Sequence, residues 1–148
     1  MGKNSVSCEE EEELRTEIKD AEKLHGHLGP FLVIGVRMGI VAKKIGKGSR
    51  LRATVKVPLL TPFSCVIDGI QSTTKCTIGN QRLKTENSPK DMTARFNLQD
   101  QNKIVAIRVN LLTVEELTNK ISKHVSMEEL AWKVAKMPES QLFTIKTQ

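Results

Sequence analysis

The chain has 148 residues, a net charge of +6 and a pI near 9.3, with 39% apolar residues but only four Phe, one Trp and no Tyr. That length suits one domain with an aliphatic core. Residues 1–24 sum to −4 and the remainder to +10, so the body favours anionic partners, while the scattered aromatics and the absence of nucleic-acid signatures argue against specific nucleic-acid binding.

Residues 1–8 read as a disordered tail. From Glu9, an acidic run leads into Leu14, Ile18, Ala21 and Leu24, a helical spacing whose glutamates suit the positive end of the helix dipole. His25-Gly26-His27-Leu28-Gly29-Pro30 breaks that helix, and Pro30 suits the first turn of a second, running from Phe31 to about Ile45 and closed by Gly46. Gly35 and Gly39, four apart, would let a neighbouring backbone approach. Leu28–Ala42 is apolar but contains Arg37 and is too short to cross a bilayer. Arg50–Leu60 alternates as a strand, and Ser64 to about Thr74 reads as a short helix with Val66, Ile67 and Ile70 on its buried side. Met92–Leu98 and Lys103–Val109 form a hairpin around residues 99–102. Thr113-Val-Glu-Glu116 and Ser126-Met-Glu-Glu129 both match the capping box, predicting two helices, and Leu142–Ile145 adds a last strand. The fold expected is α+β: one domain over residues 9–148, its antiparallel or mixed sheet packed with N-terminal and C-terminal helices. Nothing reads as a secretory leader, and three cysteines without scaffold spacing predict a reducing, cytoplasmic setting.

Two stretches could carry chemistry. In His25-Gly26-His27, imidazoles two residues apart on extended chain point the same way and could share a metal. Exposed loop histidines or helix caps fit the same pattern. The helix opening at Pro30 offers a positive dipole end for a small anionic ligand. In Thr61–Asn80, a helix would bring Cys65, Asp68 and Gln71 or Ser72 onto one stripe. A cysteine in a first turn should have its thiolate favoured, although most free cysteines are small buried hydrophobes. Two imidazoles with one or two thiolates, from Cys65 and Cys76, favour zinc or another divalent transition ion. Asp68 would orient a histidine or move a proton. His124 reads as a helix cap. No GxSxG, P-loop, GxGxxG or C-x-x-C pattern occurs.

The sequence resembles the E-subunit family of formylmethanofuran dehydrogenase. The resemblance rests on His25-Gly-His27-Leu-x-Pro30 opening a helix with Gly35-Val-Arg37-Met38. It rests equally on Ser64-Cys65-x-x-Asp68-x-Ile70-Gln71 followed by Cys76-Thr77-x-Gly79-Asn80. It covers about residues 20–110. It implies an archaeal-type homodimer with zinc, or another divalent metal, in a cleft near the histidine loop. The expected setting is a molybdenum or tungsten formylmethanofuran dehydrogenase complex in the one-carbon metabolism of methanogenesis. Carried over by position, His25, His27 and Cys65 become metal ligands, and Cys65 and Asp68 the catalytic candidates. Gln71, Cys76 and Asn80 line the same cleft as substrate contacts. The family commonly has a cysteine where this chain has Gly29, and many members carry a C-terminal zinc finger that this chain lacks. The alternatives are a non-catalytic interaction or cofactor-insertion protein, and a stand-alone enzyme with a Cys65 nucleophile.

Overall fold

The computed structural model describes residues 7–148. Most of the expected tail lies outside them, but Ser7 and Cys8 do not. Ser7 caps α1 (Cys8–His25) through a reciprocal box: its Oγ accepts from Glu10 N at 3.0 Å, and its own N–H donates to Glu10 Oε1 at 3.2 Å. Cys8 is thus an exposed residue of the first helical turn. Glu9, Glu10 and Glu11 fill that turn, where the helix dipole favours them. α1 stops at Gly26, whose φ of 101° is left-handed backbone that glycine tolerates best.

The remaining elements are α2 (Pro30–Gly46), β1 (Leu51–Val57), α3 (Cys65–Thr74), β2 (Leu83–Asn87), β3 (Thr93–Leu98), β4 (Lys103–Val109), α4 (Leu111–Ser122), α5 (Met127–Lys136), α6 (Glu139–Leu142) and β5 (Phe143–Thr147). The sheet runs β2-β1-β3-β4-β5. β1 and β2 are parallel and every other pair antiparallel, so the sheet is mixed. Parallel neighbours need a crossover, and α3 provides it. The fold is α+β, and its core is aliphatic apart from Phe31, Phe96 and Phe143. Leu51, Ala53, Val55 and Val57 face inward beside Ala94, Phe96 and Leu98, while the alternate residues point outward.

One expected helix start is corrected. Thr113 does not cap α4; that helix begins at Leu111 after Asn110. Thr113 is buried in the first turn, its hydroxyl donating to the Gln141 carbonyl at 2.8 Å. The second motif supplies one half of a capping box, with Ser126 Oγ accepting from Glu129 N at 3.3 Å, and α5 begins where it predicts. The short edge strand β2 and the single turn of α6 have no counterpart among the elements expected from sequence.

α2 is the hub. It meets α3 at a seam of glycines: a Cβ on Gly35 would lie 2.1 Å from the Val66 carbonyl oxygen, and one on Gly69 2.3 Å from that of Leu32. Gly39 would place its Cβ 1.8 Å from Thr73 Oγ1. Backbone therefore rests on backbone. Arg37 reaches from α2 to α5 and donates to the Val134 and Met137 carbonyls, satisfying groups that a helix C-terminus leaves open. Lys43 ties α2 to α1 and α3 through Glu17 Oε2 at 3.0 Å and the Thr73 carbonyl at 3.1 Å.

Candidate functional site

α1 and α3 run antiparallel, so the last residue of α1 meets the first turns of α3. His25 Nδ1 lies 2.7 Å from Asp68 Oδ2. A carboxylate partner selects the Nδ1–H tautomer of a neutral imidazole, whose Nε2 carries the lone pair. Gln71 Nε2 donates to the other Asp68 oxygen at 3.1 Å, and Gln71 Oε1 accepts from Ile78 N at 3.0 Å. The amide is therefore oriented from both ends. Imidazole, carboxylate and amide form one chain anchored in the turn after α3.

His25 Nε2 is buried and has no hydrogen-bond partner. Beside it stands His27, exposed, its ring tilted 57° to that of His25 with centroids 4.6 Å apart. Phe31 packs edge-on against Phe63 at 5.4 Å, joining the start of α2 to the turn that leads into α3. On the other side is Met127 at the start of α5: a Cβ on Gly29 would lie 3.2 Å from Met127 Cε and 3.9 Å from His27 Cε1. Neither Phe63 nor Met127 was singled out from the sequence. Only an apolar residue next to a motif hinted at them.

Cys65 is buried, 7% exposed, in the first turn of α3. Burial, followed by the Asp68 charge, pushes its thiol pKa up. This is opposite to the expectation of a thiolate favoured by the helix end. The Cys65 backbone N–H does favour the thiolate, but burial outweighs it. The amides of Cys65, Val66 and Ile67 also donate to the carbonyls of Pro62, Phe63 and Ser64.

The other expected site residues separate. Cys76 lies beyond the far end of α3, whose axis rises about 13.5 Å from Cys65 to Thr74 at about 1.5 Å per residue. Its thiol donates to the Leu51 carbonyl at 3.2 Å, and it is 1% exposed. Asn80 is exposed and braces the 77–82 turn: Oδ1 accepts from Thr77 N and Arg82 N at 3.0 Å, and Nδ2 donates to the Lys75 carbonyl at 2.7 Å. Gln71 is committed to Asp68. The structure thus joins His25, Asp68 and Gln71, sets His27 and Cys65 at their edge, and places Cys76 and Asn80 in structural positions.

A resident metal is implied by the resemblance. His25 fits, because a histidine held at Nδ1 by a carboxylate presents a directed Nε2, the usual arrangement at zinc sites. Among the described residues, however, no three His, Cys, Asp or Glu side chains are grouped to hold one ion. A hollow of about 700 Å³ between Glu9, Glu12 and Lys75 lies at the opposite end of α1 and α3 and shares no residue with the histidine loop.

Residues 24–144 match the family described as FmdE, molybdenum formylmethanofuran dehydrogenase operon. A probable S-adenosyl-L-methionine-binding protein of Archaeoglobus fulgidus is 31% identical over 145 residues, covering 82% of this chain and 39% of that protein. The chain therefore spans about two fifths of the length of that relative. The crystal structure of an FmdE-like protein of tungsten formylmethanofuran dehydrogenase, from Syntrophus aciditrophicus, superposes with a TM-score of 0.68 at 16% identity. The match covers 91% of this chain and 71% of that one, a likeness of fold.

Proposed function

Since the chain belongs to the FmdE family of the molybdenum formylmethanofuran dehydrogenase operon, we propose that it is a metal-binding protein serving such a dehydrogenase in one-carbon metabolism. The observation that carries the reading is the buried, unpartnered Nε2 of His25, on a ring held by Asp68. His25, fixed by Asp68, would anchor zinc or a similar divalent ion. His27 and Cys65 would complete its shell only by moving toward it, since the three do not stand grouped around one point. Bound there, the ion would supply Lewis acidity to a water or an anionic ligand. Within the chain itself, Gln71 keeps Asp68 in place. The family association supports a dehydrogenase as the partner, and a homodimer is part of the proposal.

Metal analysis of protein purified without chelator tests this. The expected result is about one ion per chain, lost in His25→Ala and reduced in His27→Ala and Cys65→Ala. Substoichiometric metal indifferent to all three substitutions overturns the reading. A second ligand is favoured by the archaeal relative's name: S-adenosyl-L-methionine, checked by calorimetric titration of the same protein. Saturable binding supports it and a flat titration removes it.

A further inference from the structure

The helices cover one face of the sheet and leave the other open. Strand register arranges the open face in rows. One runs Lys84, Thr54, Arg95, Ala106, Lys146 from β2 to β5. The next runs Glu86, Lys56, Thr93, Arg108, Thr144. The first row alternates cation, small, cation, small, cation. Among the described residues Lys84, Arg95 and Lys146 form no ion pair. Acids are few here: Asp91 lies 3.5 Å from Arg108, and Glu86 sits on the β2 edge. Between the rows lies a shallow depression of about 280 Å³, floored by Thr54, Thr93 and Ala106.

Neighbouring strands are about 4.8 Å apart, so cations on alternate strands repeat at about 10 Å. Two turns of α-helix advance about 10.8 Å. Carboxylates seven residues apart on a helix laid across the strands would therefore meet Lys84, Arg95 and Lys146 in step, over a floor low enough for close approach. We propose that this open face docks an acidic helix belonging to a different protein chain.

Other occupants fit less well. The two rows offer no aromatic ring on which a base could stack. A second copy applying the same face would bring cations onto cations. A second copy applying its α1 would use a helix whose Glu10 and Glu17 already pair with Lys44 and Lys43. Such a contact, joining the helix side of one copy to the sheet side of the next, has no reason to close. The surface is separate from the histidine loop, so the metal reading can fail without affecting it.

The test is fluorescence anisotropy with an alanine-rich helical peptide carrying three glutamates about seven residues apart, run beside a single-stranded oligonucleotide. We expect saturable, salt-sensitive peptide binding. It should weaken by about tenfold or more in Arg95→Glu/Lys146→Glu and by less than about twofold in Lys123→Glu/Lys136→Glu, which changes net charge equally at residues outside the strands. All four positions are exposed, and circular dichroism should show both variants folded. Equal losses in the two variants, no saturable binding, or tighter oligonucleotide binding through Arg95 and Lys146 would each overturn the proposal. So would sedimentation showing wild-type self-association that Arg95→Glu/Lys146→Glu abolishes.

Discussion

His25 Nε2 is the one buried side-chain nitrogen or oxygen among the described residues that lacks a hydrogen-bond partner. Leaving such a group unmet costs about 1–3 kcal/mol, and the Asp68 contact keeps the ring from turning to relieve it. Cys65 is under a different constraint. Its thiol is pushed up first by burial and then by Asp68. In chelator-treated protein at pH 7 to 8, alkylation of Cys65 should therefore be slower than that of a free thiol, whose pKa is about 8.5. Asp68→Asn should speed it, as mass-spectrometric labelling would show. The same shift has a sign for stability: the folded state holds the thiol proton more tightly than the unfolded chain. The metal-free protein therefore loses stability as pH rises above about 8.5 toward the folded value. Gly29 has extended backbone, with φ −150° and ψ 170°, and a Cβ there would meet the flexible end of Met127 at 3.2 Å and His27 Cε1 at 3.9 Å. Gly29→Cys should therefore fold, place a thiol beside His27, and raise zinc affinity about tenfold or more by chelator competition.

Periodicity made α1, α2, α3, β1 and the β3–β4 hairpin legible, because each buries a stripe whose spacing follows from backbone geometry. β2 was not legible. Leu83 is its only fully buried residue, and Lys84, Glu86 and Asn87 are exposed, so its pairing comes from β1 rather than from its own pattern. Thr113 shows the converse: a local motif can match and still be overruled, here because its hydroxyl serves the Gln141 carbonyl. The site was legible as two separate motifs. Their junction at His25 and Asp68, 43 residues apart, depends on how α1 crosses α3, which local spacing does not encode. The paired glycines on α2 did signal close packing. Gly35→Ala should cost about 3 kcal/mol, because its methyl would press on the Val66 carbonyl and α3 cannot withdraw while Gly69 rests on Leu32. Chemical denaturation measures that loss.

Across the whole molecule, anchoring is uneven. α2 buries most of its length, whereas α1 fully buries only Ile18 and Ala21 and is otherwise held by polar contacts: Lys43 and Lys44 bridging to Glu17 and Glu10, and His25 to Asp68. The ring with the unmet nitrogen thus rides on the more weakly held of these two helices, at the end next to the left-handed Gly26. Backbone amides of α1 should exchange with deuterium much faster than those of α2. Whatever occupies Nε2 also tethers that end of α1. Protection over residues 18–25 would then rise with saturating zinc while α2 keeps its baseline, making the helix a built-in reporter of whether its terminal imidazole is engaged.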